Sequence, residues 1–154
     1  MDFDFSQSGS SNNMFPILVS NTADKILANS MDWVALSGEG TTGMRLTIAN
    51  AGSGNSGSST SNITVVSGTT YYGRIIRNDD SFNLKIYSTS ALRTSAGTGD
   101  IGDVTQSTPT GITGLQYIQS SGRSDGGGGS NSWVVDNVKI YNDMTVADVI
   151  PSAT

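Results

Sequence analysis

Apolar and polar positions alternate with a period of two along several short stretches, the pattern of strands that bury one face. Phe3 and Phe5 alternate with Asp2 and Asp4. Met44, Leu46 and Ile48 share one face of a run at 43–49, and Arg45 and Thr47 share the other. Phe82, Leu84 and Ile86 alternate in the same way with Asn83, Lys85 and Tyr87. Further strands are predicted at 15–20 (FPILVS), 32–37, 62–66, 70–77, 112–119 and 132–141. Pro16 implies an edge position or a strand beginning for the first of these. Turn-forming residues separate the runs at 38–43 and 78–81, and longer polar stretches do so at 50–61 and 120–131. Residues 90–110 read as an irregular excursion with one small apolar anchor at 101–104. Ala23, Ile26 and Leu27 have helix-like spacing, and 145–150 reads as one helical turn capped by Thr145. About nine strands, spaced roughly ten residues apart, predict a single two-sheet antiparallel β-sandwich over 1–142 with a short tail at 143–154.

Composition supports that picture. Of the 154 residues, 72 are Gly, Ser, Thr or Asn, as expected for many turns and weakly charged faces. The chain has no cysteine and no histidine, and Glu39 is its single glutamate. A disulfide scaffold, a thiolate or imidazole metal site and a histidine-assisted nucleophile are therefore excluded. Eight scattered cations and a net charge of −5 argue against a nucleic-acid surface. No apolar run approaches the roughly 20 residues of a membrane-spanning helix. The opening segment, MDFDFSQSGSSNN, has neither the basic nor the apolar region of a secretory signal.

Two segments, TTYYGRIIRNDDSFNLKIYSTSALRTS (69–95) and GLQYIQSSGRSDGGGGSNSWVVDNVKIYN (114–142), resemble the concanavalin A-like, laminin G-like jelly roll. Tyr-Tyr-x-Arg-Ile leading into a hairpin that returns as Leu-x-Ile-Tyr, and a closing strand Val135-Asp136-Asn137-Val138-Lys139-Ile140-Tyr141, carry the likeness. The resemblance implies a jelly roll of a kind that also serves lectins, glycan hydrolases, adhesion modules and viral coat or fibre parts. Members of that superfamily usually have a further stretch ahead of the strand equated with residues 2–5. Its apparent absence here implies an open edge beside the closing strand, to be covered by another chain or a second copy.

Glycan hydrolysis needs two carboxyls flanking the bond. The Glu-x-Asp-x-Glu strand of glucanase relatives has no counterpart here, so no catalytic residue is assigned. Calcium is the one cofactor considered: Asp79, Asp80, Asp100, Asp103 and Asp125 sit in loops, but turn chemistry accounts for them and no metal site is assigned. Asp136 shares a face by alternation with Val134, Val138 and Ile140, which predicts a structural carboxylate bonded beneath an apolar layer to loop amides or to Arg74 or Arg77. Of the adjacent Tyr71 and Tyr72, only one can face inward. Tyr87, Tyr141 and Trp133 are expected on an outward face with Asn83, Lys85 and Lys139, where they would contact a glycan or a protein partner. The glycine-rich 126–129 and 50–61 stretches lack a nucleotide-binding context.

The expected protein is thus a non-catalytic structural or binding module. Its resemblance, short length and polar composition point to a virion surface component, a capsid decoration or fibre protein that meets other coat subunits and touches cell-surface glycans. The alternative is a carbohydrate-binding module or lectin from a larger extracellular protein. Oligomerisation is expected; contact with nucleic acid or membrane is not.

Overall fold

The computed structural model describes residues 1–9, 11–12, 14–23, 31–40, 42–50, 58–78, 81–107, 112, 114–122 and 131–141. Their elements are β1 (Asp2–Gly9), β2 (Ser11–Asn12), β3 (Met14–Ser20), β4 (Trp33–Gly40), β5 (Gly43–Ala49), β6 (Ser58–Ser59), β7 (Ile63–Thr64), β8 (Thr70–Asn78), β9 (Ser81–Tyr87), α1 (Ser90–Thr94), β10 (Gly102–Ser107), β11 (Tyr117–Gly122) and β12 (Asn131–Lys139). The front sheet runs β10-β9-β8-β1-β12; the back sheet runs β11-β3-β4-β5-β6, with β2 added on β4 and β7 on β5. Every pairing is antiparallel. The chain is an all-β sandwich.

Alternation decides which side chains meet between the sheets. In β1, Phe3, Phe5 and Gln7 turn inward and are buried, while Asp4 and Ser6 turn outward. Burying each phenylalanine contributes about 1.5–3 kcal/mol. Phe5 lies 5.7 Å from the ring of Tyr71, stacked at 28°, and the Tyr71 hydroxyl accepts a hydrogen bond from the Val66 amide at 2.9 Å. Tyr71 is therefore the inward member of its pair, and Tyr72 lies half-buried on the outer side. Across from Phe3 stands Gly73, where any Cβ would collide with the phenylalanine ring. The pairing of β1 with β8 inside the front sheet thus depends on a residue without a side chain.

The back sheet is buried on both faces in its middle. Val34 and Leu36 of β4 join the core between the sheets, whereas Trp33 and Ala35 pack with Phe15, Leu18, Met31 and Ala49 in a second apolar cluster. This explains the nearly continuous apolar reading of 15–20 and 32–37, because a strand covered on both sides has no polar face to show. Pro16 falls where neither neighbour of β3 keeps its ladder, although β3 itself is internal to the sheet.

Several sequence expectations are corrected. The 90–110 excursion contains α1 and the front-sheet edge strand β10. Ile112 is buried in the core, but its strand begins only at Tyr117. The predicted helical spacing at 23–27 and the turn at 145–150 fall largely or wholly outside the described residues, as do Asp79, Asp80, Asp125 and the tail. β1 and β12 lie side by side, and among the described residues no strand pairs with the other flank of β12.

Candidate functional site

The outer face of the front sheet gathers the charged residues. Asp2 and Asp4 project from β1, and Arg74, beside Asp2 on β8, meets its carboxylate bidentately: Nε donates to Oδ1 at 2.7 Å and Nη2 to Oδ2 at 2.8 Å. Both side chains are at most 7% exposed. The hydrogen bond to Asp2 raises the Arg74 pKa above its ordinary value. From α1, Arg93 reaches back across the sheet. Its Nη1 donates to the Phe3 carbonyl at 2.8 Å and to Asp4 Oδ1 at 2.7 Å, its Nε lies 3.8 Å from Asp2 Oδ2, and its guanidinium sits 5.6 Å from the centre of the Tyr72 ring. Asn137 Nδ2 donates to the second Asp4 oxygen at 2.7 Å. A ladder of charge-assisted bonds therefore ties β8, β1, α1 and β12 together.

The segment 88–101 is strapped onto this face. Thr89 caps α1 by accepting from the Leu92 amide, and Asp100 accepts from the Ser88 amide at 2.9 Å and the Ser88 hydroxyl at 2.6 Å. The hydroxyl bond is the main cause that holds the Asp100 carboxyl below its usual pKa. Under the strap lies Tyr87, fully buried, its hydroxyl donating to the Gly97 carbonyl at 2.8 Å; burial pushes its pKa up.

The residues expected to meet a ligand are distributed differently. Asn83, Lys85 and Tyr87 do share the outer face, but strand β10 and the strap occupy them. Asn83 Nδ2 donates to Asp103 Oδ1 at 2.6 Å and to Thr105 Oγ1 at 3.0 Å, and Lys85 Nζ lies 3.5 Å from Asp103 and 3.2 Å from the Gly97 carbonyl. Tyr87 presents no ring to solvent. Trp133 points to the opposite side, half-buried against the core with its ring 6.3 Å from Phe5. Tyr141 is half-buried two residues beyond the end of the closing strand. Among the described residues no group of three or more acidic side chains could hold a metal ion, and Asp100 and Asp103 are engaged as above.

Asp136 is exposed, contrary to the expectation of a carboxylate beneath an apolar layer. Val134 pairs with Ser6 and Asp136 with Asp4, so the face they share is the outer side of the front sheet, and a bulge follows them. Asp136 pairs with Asp4 and Lys139 with Asp2, so three residue steps on β12 oppose two on β1. Asn137, with φ of 51°, absorbs the extra residue, and its amide donates to Asp136 Oδ1 at 2.7 Å. Asparagine tolerates this left-handed backbone better than most residues. Beyond the bulge the alternation inverts, so Val138 no longer shares the face of Val134 and Asp136. The structural carboxylates are Asp2 and Asp4, and Arg74 is spent on Asp2; Arg77 instead donates to the Ile112 carbonyl at 3.0 Å.

The flank of the sandwich at β12 has a different character. β12 contacts β3, and β10 at the opposite end contacts β5 and β7, so the sheet-end strands β12 and β11 lie on the same flank. Seven large hydrophobic side chains are exposed among the described residues, and five of them lie here: Tyr117, Ile118, Val134, Val138 and Ile140. Fold and surface define an all-β sandwich whose charged front-face groups bond to one another and whose exposed large hydrophobic side chains, among the described residues, lie mostly on the strands of one flank. Comparison of the chain with family models, curated proteins and solved structures found no match.

Proposed function

We propose that the protein is a non-catalytic structural and binding module that works by docking its apolar flank against other protein subunits, as a capsid decoration or fibre component of a virion surface. Among the described residues, five of the seven exposed large hydrophobic side chains belong to β11, β12 and the residue after it, and this carries the docking part of the reading. Exposed apolar side chains gathered at one flank of a folded protein mark a site of interaction. The internal engagement of the charged front face favours a structural role, because Asp2, Asp4, Arg74 and Arg93 bond to one another rather than converge on a cleft. The virion setting draws on the likeness of 69–95 and 114–142 to jelly rolls of coat and fibre proteins. Antibodies raised against the chain should detect it in particles purified from the virus that encodes it, and the purified protein should release no reducing ends from polysaccharides. Absence from such particles, combined with glycan-array binding by a monomer, would replace this reading with the carbohydrate-binding module.

A further inference from the structure

The two ends of the front sheet, where among the described residues no further strand pairs, differ in what their edge strands display. At one end β10 exposes Asp103, Thr105 and Ser107. At the other end β12 and the residue following it expose Val134 at 58%, Val138 at 42% and Ile140 at 55%, together with Asp136 and Lys139. An edge strand carries a row of backbone donors and acceptors that only another strand can pair in full. Apolar side chains on such a strand favour its burial, whereas a bulge and isolated charges obstruct pairing with an arbitrary partner.

We infer that the occupant of this edge is β12 of a second copy of the chain, paired antiparallel about the Asn137 bulge across a two-fold axis. The inference rests on the docking role proposed above and names its partner. The charge pattern selects this arrangement. Asp136 and Lys139 flank the bulge, so reversing the strand sets Asp136 of each copy against Lys139 of the other, whereas parallel stacking sets like charges together. The bulge makes the faces agree as well. Asp136 pairs with Asp4, and Lys139 with Asp2, on the outer side of the front sheet. Both therefore lie on the outer face and stay there when the strand is reversed. The same alignment brings Val134 to Tyr141 and Val135 to Ile140. The features that repel a generic strand thus become complementary when the partner is this strand itself. Two five-stranded front sheets would join into one, as in strand-addition complexes. A two-fold contact of this kind uses the same patch on both subunits.

Native mass spectrometry and light-scattering chromatography from about 1 to about 100 μM, a range suited to a modest interface, provide the test. The wild-type protein is expected at twice its 16.0 kDa mass in the upper part of the range. Lys139→Asp and Asp136→Lys should each weaken the dimer about tenfold or more, because each places two like-charge pairs across the axis. The double variant Asp136→Lys/Lys139→Asp restores both pairs and should recover wild-type association. Circular dichroism checks the fold of each variant. Val134→Thr, at an exposed position, should weaken the same dimer without changing charge, and it keeps the test decisive if a charge variant misfolds. A wild-type monomer throughout the range, single variants that dimerise normally, or a double variant as weak as the singles would each overturn the inference. A wild-type monomer still found in purified particles refutes self-pairing but leaves the docking role, and a swap-rescued dimer absent from particles does the reverse.

Discussion

Replacing Arg74 with methionine tests the front-face ladder most directly. Methionine keeps much of the arginine stem and deletes the guanidinium, leaving the Asp2 carboxylate 7% exposed without its bidentate partner. Removing one member of a buried ion pair costs about 3–5 kcal/mol, mostly from the uncompensated charge left behind. Arg93 Nε remains 3.8 Å from Asp2 Oδ2 and offsets part of that penalty, so the lower end applies, about 3 kcal/mol. For a domain of this size, that corresponds to a fall of roughly 6–12 °C in Tm. The double variant Asp2→Leu/Arg74→Met removes both charges together and should lie within about 1 kcal/mol of wild type, since apolar replacements of buried pairs are often neutral. Urea unfolding of wild type, both single variants and the double variant closes the cycle. If Arg74→Met unfolds within 1 kcal/mol of wild type, or if the double variant loses the sum of the two singles, the ladder does not hold the sheet as described.

Gly73→Ala should lower stability by about 1–3 kcal/mol, because the new methyl meets the Phe3 ring in a core with no room to yield; chemical denaturation measures it. Arg93→Ala removes the bonds to the Phe3 carbonyl and Asp4. It should cost about 1–3 kcal/mol and raise amide exchange over 88–101, with Tyr87 losing its buried near-ultraviolet signal. Asp100 has its folded pKa depressed below the ordinary 3.8, so its anchoring is complete above that value and is lost as pH falls through the folded pKa. Exchange over 88–101 should therefore rise on acidification below about pH 4 in the wild type, but be already high and insensitive to this step in Asp100→Asn. Asp136→Ala should leave stability within about 0.5–1 kcal/mol of wild type, as expected for an exposed side chain bonded to its own neighbour; a thermal melt decides it.

The residues announce the fold more clearly than they announce the surface. Strand β5 occupies the predicted 43–49, and β8 and β9 match their predicted runs within two residues, because a strand with one buried face writes period-two alternation into its own sequence. β10 lacks that signal: its sequence, GDVTQS, places a single large apolar residue, Val104, on a half-buried edge. The partners of the charged face are harder still to read. Asp2 meets Arg74 across 72 residues and Asp4 meets Arg93 across 89, and nothing local in sequence encodes such separations. Asp136 shows a third obstacle. One left-handed asparagine reverses every position after it, so a strict count of two assigns Val138 to the wrong face.

The place of β1 inside the front sheet, next to its β12 edge, has a consequence for biosynthesis. Its neighbours are β8 and β12, and the Asp4–Asp136 pairing spans most of the chain. Contacts of such long range slow folding, because loop-closure entropy is lost before any pairing compensates for it. On the ribosome, the phenylalanines of β1 emerge early and stay without their sheet until β8 has been made. The front sheet itself is finished only when β12 leaves the exit tunnel. The back-sheet strands β3, β4 and β5 are near neighbours in sequence and can pair meanwhile, offering β1 an apolar surface on which to wait. Folding is therefore expected to proceed from the back sheet forward, with the docking edge forming last among the described strands.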